Sequence, residues 1–216
     1  MSKQSGHEAS IRLAIEKLRK VNLAVRSSDL GLSEPQNGIL QIRAFGTDMT
    51  LRLPGFQLFF ADSDKPVESS DHILVLHYLL CDLPLHQTDQ LISFRDLKGG
   101  MFYWEPFFSR TVRPLIQRIG NDLELLRNNL ERFDWEPVSL GDLGARIHVI
   151  GRLYLTLIYR LGDEEFPASA DLLFDAGIKR VYDAEDAAVL ASRISMGLIM
   201  NAEDSLMSLM QREFFY

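Results

Sequence analysis

The sequence predicts an α+β fold: one domain over residues 1–216, with a mainly antiparallel sheet packed by helices and a long C-terminal helix. Three observations carry that expectation. Apolar residues recur at helical spacing near both ends of the chain, and segments near 38–60 and 146–160 alternate apolar and polar residues. Strands and helices also cluster instead of alternating, which disfavours a parallel sheet built from crossover units. No repeat, low-complexity tract or shift in composition marks a second domain.

Each element follows from its local pattern. Ile11, Ile15, Leu18, Val21 and Val25, with charged residues between them, predict an amphipathic helix from about Ser10 to Arg26. Ser27 to Asn37, rich in Ser, Gly, Asp and Pro, reads as a loop. Gly38 to Phe45 and Met49 to Leu53 form a hairpin about Gly46-Thr47-Asp48, and Pro54-Gly55 turns the chain into a third strand, Phe56 to Phe60. Ser70 or Asp71 caps a helix carrying Ile73, Leu76, His77 and Leu80 on one face, ended by Pro84. Leu91 to Gly100 is mixed. Met101 to Ile119 is helical, with Pro106 and Pro114 starting or kinking segments. A helix over Asp122 to Phe133 precedes a loop, Asp134 to Gly144. Arg146 to Ile150 and Leu153 to Arg160 are strands, the second apolar on both faces and so central. Gly162 to Asp175 reads as an acidic segment with a short helix near its end. From Asp183 the helical pattern runs almost to the terminus.

Composition narrows the function classes. With 23 basic and 30 acidic residues the net charge is −7, so a free nucleic-acid binder, which needs a basic footprint, is not expected. One cysteine excludes an internal disulfide and an all-cysteine metal site. The polar N-terminus and the short apolar runs give neither a secretory signal nor a membrane span, so the expectation is a cytoplasmic protein without membrane partners. Phosphate-loop, dinucleotide-binding, zinc-protease and nucleophile-elbow motifs are all absent.

Three groups of residues remain as candidates. Asp163, Glu164 and Glu165 open a stretch, 161–190, with eight acids against two bases. Oxygen ligands could hold a divalent cation there, but the spacing misses the calcium-loop pattern. The structural alternative is a turn followed by a helix start whose acids complement the dipole. Arg95, Arg110, Arg113 and Arg118 lie among Phe102, Tyr103, Trp104, Phe107 and Phe108, a mixture that grips anionic groups. The alternative there is a core helix whose arginines snorkel outward. Arg95, Tyr103, Arg110, Asp163, Glu164 and Glu165 are therefore the tentative ligand-binding set, with Arg95 or Arg110 expected to pair with one of the acids. His77 and Cys81, four residues apart on one helix, are candidate metal or axial ligands. Too few soft ligands lie nearby, so no bound metal is expected, and no catalytic residue is assigned.

A set of short motifs occurs in a fixed order: Leu76-His77-Tyr78-Leu79, Ile92-Ser93-Phe94-Arg95, Gly99-Gly100-Met101-Phe102-Tyr103, Phe107 and Arg110 with Arg113-Pro114-Leu115, Gly141-Asp142, Gly162-Asp163-Glu164-Glu165-Phe166-Pro167, Leu173-Phe174-Asp175 and Glu185-Asp186. Together they resemble the uncharacterised bacterial and archaeal family catalogued as domain of unknown function 3786, most strongly over 40–195. The chain departs from that pattern at Val149 to Leu153, and 196–216 is a helical extension. The resemblance implies no established activity or cofactor. It implies a setting in anaerobes near corrinoid and one-carbon metabolism, in a family where some members are fused to iron–sulfur modules that this chain lacks. The leading expectation is a non-enzymatic binding or accessory module for an anionic small molecule or cofactor. The alternatives are a small-molecule enzyme using the acid and arginine groups, or an interaction module. Apolar Leu198, Ala202, Leu206 and Leu209, with Met200, Met207, Met210 and the terminal aromatics, predict a homodimer through 200–216, the alternative being that this segment folds back onto its own monomer.

Overall fold

The computed structural model describes residues 3–200. It is an α+β fold with one eight-stranded antiparallel sheet. Helices α1 (Lys3–Leu18) and α2 (Leu23–Asp29) lead into β1 (Ile39–Ala44), β2 (Thr47–Arg52) and β3 (Gln57–Phe60). Helix α3 (Ser69–Leu80), the short β4 (Leu91–Ile92), and α4 (Trp104–Arg110), α5 (Val112–Ile119) and α6 (Leu123–Leu130) follow. Strands β5 (Trp135–Val138), β6 (Leu143–Ile150), β7 (Leu153–Arg160) and β8 (Ser169–Asp175) then precede α7 (Ala184–Ile199). The strand order is β3-β2-β1-β6-β7-β8-β4, and β5 pairs with β6 beside its junction with β1.

The core lies on one face of the sheet. Leu40, Ile42 and Ala44 of β1, Met49 and Leu51 of β2, Ala145, Ile147 and Val149 of β6, Leu155, Leu157 and Tyr159 of β7, and Leu172 and Phe174 of β8 are buried. This is the period-2 pattern of a sheet with one face covered. Two hairpin turns rely on glycine. Phe45 and Gly46 both have positive φ between β1 and β2, and a Cβ at Gly46 would overlap the Arg132 carbonyl. Gly151, at φ +51° between β6 and β7, passes so close to the Tyr78 hydroxyl and the Leu30 carbonyl that no side chain fits.

Several boundaries differ from the sequence reading. The predicted helix over 10–26 is two helices: the chain breaks at 19–22, and Asn22 accepts from the backbone N–H groups of Ala24 and Val25 to start α2. Pro106 and Pro114 each fall in a first helical turn, and the helix over 101–119 divides at Thr111. The loop predicted over 134–144 contains β5, and the acidic segment predicted to end in a short helix contains β8 instead. In β8 exposed Ser169 and Asp171 alternate with buried Ala170, Leu172 and Phe174. Asp71 is not a cap; it is buried inside the first turn of α3. Helix α7 ends at Ile199, and the predicted dimer segment lies almost wholly beyond the described residues. No helix among the described residues is long and apolar enough to cross a membrane.

Candidate functional site

Helices α3 and α7 lie side by side in opposite directions: Asp71 near the start of α3 meets Arg193, and His77 in its last turn meets Asp186 in the first turn of α7. The start of α7 is fixed by Asp183, whose carboxylate accepts from the backbone N–H groups of Glu185 (2.9 Å) and Asp186 (3.0 Å). His77 therefore sits at a helix C-terminus and Asp186 at a helix N-terminus, each where the dipole favours its charge.

His77 Nδ1 lies 2.6 Å from Asp186 Oδ2. The side chains are 32% and 15% exposed, so the pair is partly desolvated. The bond to Asp186 raises the imidazole pKa above its ordinary value of 6.5, against the opposing effects of burial and of Lys17. With Nδ1 engaged, Nε2 has no hydrogen-bond partner among the described residues. Around the pair is an open cleft of about 370 Å³, lined by Lys17 of α1, by Leu80 and Cys81 at the end of α3, and by Arg180 and Val181 before α7. Three acids also line it. Asp186 is paired with His77 and Asp183 caps α7, which leaves Asp82 against Lys17 and Arg180.

Cys81 closes α3 and is 4% exposed. Burial pushes its thiol pKa up, so it stays protonated and is a weak nucleophile and metal ligand. Arg26 donates to the carbonyls of Leu79 and Cys81, completing the helix end. No group of three or more His, Cys, Asp or Glu residues among the described residues is arranged to hold a metal.

The tentative ligand-binding set singled out from sequence lies elsewhere. Arg95 stands in a 3-10 turn over 94–96 and stacks on Trp104, 4.1 Å from guanidinium carbon to ring centroid. Tyr103 is the exposed N-cap of α4, and Arg110 is exposed in its last turn. Asp163, Glu164 and Glu165 are exposed in the turn from β7 to β8. Asp163 accepts from the N–H groups of Phe166 (2.7 Å) and Glu165 (2.8 Å), which holds its pKa below the usual carboxylate value. Asn121 pins this turn at both the N–H and the carbonyl of Gly162. Among the described residues no ion pair joins Arg95 or Arg110 to these acids; the nearby basic partner is Arg160, which pairs with Asp171 at 2.8 Å. Of the sequence candidates, His77 and Cys81 both line this cleft, and His77 is the one with a charged partner there. Its partner Asp186 was legible only as a helix-start acid.

A family model described as a domain of unknown function (DUF3786) matches residues 22–196. No curated protein and no solved structure matches the chain.

Proposed function

The chain belongs to the DUF3786 family, and from that premise we propose that it is a binding module for a small anionic molecule, seated in the cleft between α1, α3 and α7. The observation that supports this most is the His77–Asp186 pair, which favours the imidazolium form and leaves Nε2, without a partner among the described residues, at an open cleft. Lys17 supplies a second positive charge and the unengaged edge of Arg180 a third; the other edge of Arg180 donates to the carbonyls of Asp82 and Leu83. An oxyanion on His77 and Lys17 forms charge-assisted hydrogen bonds in a partly desolvated place. The cleft is larger than one oxyanion, so the ligand has a body that rests on Leu80 and Val181.

Isothermal titration with sulfate tests this reading. Saturable binding is expected, weakened about tenfold or more in His77→Gln and in Lys17→Met. Binding that is absent, or unchanged in both variants, overturns it. The same pair favours a second reading, in which Nε2 exchanges a proton with the bound molecule as a general acid or base. A ligand whose mass changes on incubation with the protein, but not with His77→Gln, would identify that chemistry.

A further inference from the structure

The outer face of the sheet, opposite the core, carries a second and smaller groove of about 150 Å³. Its floor comes from neighbouring strands. Arg146 of β6 lies directly across from Thr156 of β7, and Glu136 of β5 directly across from Arg146. Leu91 of β4 faces Asp175 of β8, and continuing the β7–β8 register one step puts Asp175 opposite Tyr154. One wall is Val138 and Leu140, from the turn that folds over Gly144; the other is Asp89, Leu91 and Asp175.

We propose that this groove binds a small zwitterion of the α-amino-acid type. The Arg146 guanidinium lies over the Tyr154 ring at 3.7 Å and gives one nitrogen to Glu136, which fixes its plane and leaves its remaining N–H groups without a partner among the described residues. Thr156 is 4% exposed, yet its hydroxyl makes no hydrogen bond among the described residues; it lines the groove beside Arg146. Its oxygen stays open to the groove, and a ligand carboxylate would accept from both donors.

The opposite wall has the opposite sign. Asp175 accepts from the N–H and hydroxyl of Thr88 and from the N–H of Gly177, so its side chain is held in place in the wall. Asp89, exposed at the rim, has no partner among the described residues. With Glu136 offsetting Arg146, two acids remain, which disfavours a plain anion and suits a ligand that also carries an ammonium. Tyr154 and Asp175 stand on adjacent strands, about 4.8 Å apart in the sheet, so the basic and acidic walls face each other across the groove. The volume equals about five waters at roughly 30 Å³ each, enough for a short apolar side chain against Leu91, Val138 and Leu140.

The test is an amide NMR titration with L-valine, with isovalerate (no ammonium) and with isobutylamine (no carboxylate). Saturable shifts at Thr156, Tyr154 and Asp175 are expected for valine, with both analogues weaker by about tenfold or more. Arg146→Gln and Asp89→Asn, both at accessible side chains, should each weaken valine about as much, and Thr156→Val less. Isovalerate binding as well as valine, valine binding unchanged in Arg146→Gln, or no saturable shift up to about 50 mM would each overturn the proposal. The groove shares no residue with the His77 cleft, so either site can fail while the other stands.

Discussion

Arg26, Arg152 and Arg180 all serve backbone carbonyls: Arg26 closes α3, Arg152 donates to Asp29 and Ser28 at the end of α2, and Arg180 holds the exit at Asp82 and Leu83. Helix ends and loops leave carbonyls unsatisfied, and an arginine's planar fork reaches two at once. That demand is invisible in composition, which invites pairing basic residues with acidic ones. His77 differs from these three: it takes an acid, as Arg146, Arg160 and Arg193 also do. Its pKa is raised in the folded state, so the pair's stabilisation is fully present below the ordinary imidazole value and is lost as pH rises through the folded value. Urea unfolding of the protein and of His77→Gln should therefore differ by about 1 kcal/mol below about pH 6.5, with the gap closing at higher pH. A gap that is the same across that range contradicts the pairing.

At the scale of elements, α3 and α7 are clasped at both ends, by His77–Asp186 and by Asp71–Arg193 at 3.0 Å. Asp71 is buried, and burial raises its pKa against the pull of Arg193. Removing the arginine leaves that carboxylate without its counter-charge. Arg193→Met should cost about 3 kcal/mol in chemical denaturation, and Asp71→Asn in the same chain should restore part of it. A single-variant cost below about 1 kcal/mol would show that the clasp contributes little. The sequence made the α3 face legible but not its partners, since 122 residues separate Asp71 from Arg193 and 109 separate His77 from Asp186. The hairpin of β1 and β2 was legible because Ile42, Met49 and Leu51 alternate cleanly with polar residues. Strand β8 was not, because Leu172-Leu173 breaks its alternation by eye and its two aspartates read as part of an acidic loop. The break between α1 and α2 was hidden by Val21 and Val25, which continue the helical spacing across it.

For the whole molecule, clustered strands and helices made the fold class legible, and the ordered motifs led to the family. The functional geometry was not legible in the same way. It depends on a sheet with one face covered by the core and the other lined by Arg146, Tyr154 and Thr156, and on two distant helices meeting at their ends. The apolar segment 200–216 still leads us to predict a homodimer. The full chain should sediment as a dimer at micromolar concentration, and truncation after Ala202 should give a monomer with an unchanged circular dichroism spectrum. A monomeric full-length chain contradicts that. The anion cleft itself is tested most directly by the ring proton resonances of His77 during a sulfate titration at about pH 6 and about pH 9, since sulfate keeps its charge across that range. The predicted result is a saturable shift of the His77 resonances with binding clearly tighter at the lower pH. Resonances that do not respond to sulfate, or that respond equally at both pH values, would contradict the assignment of the anion to the imidazolium of His77.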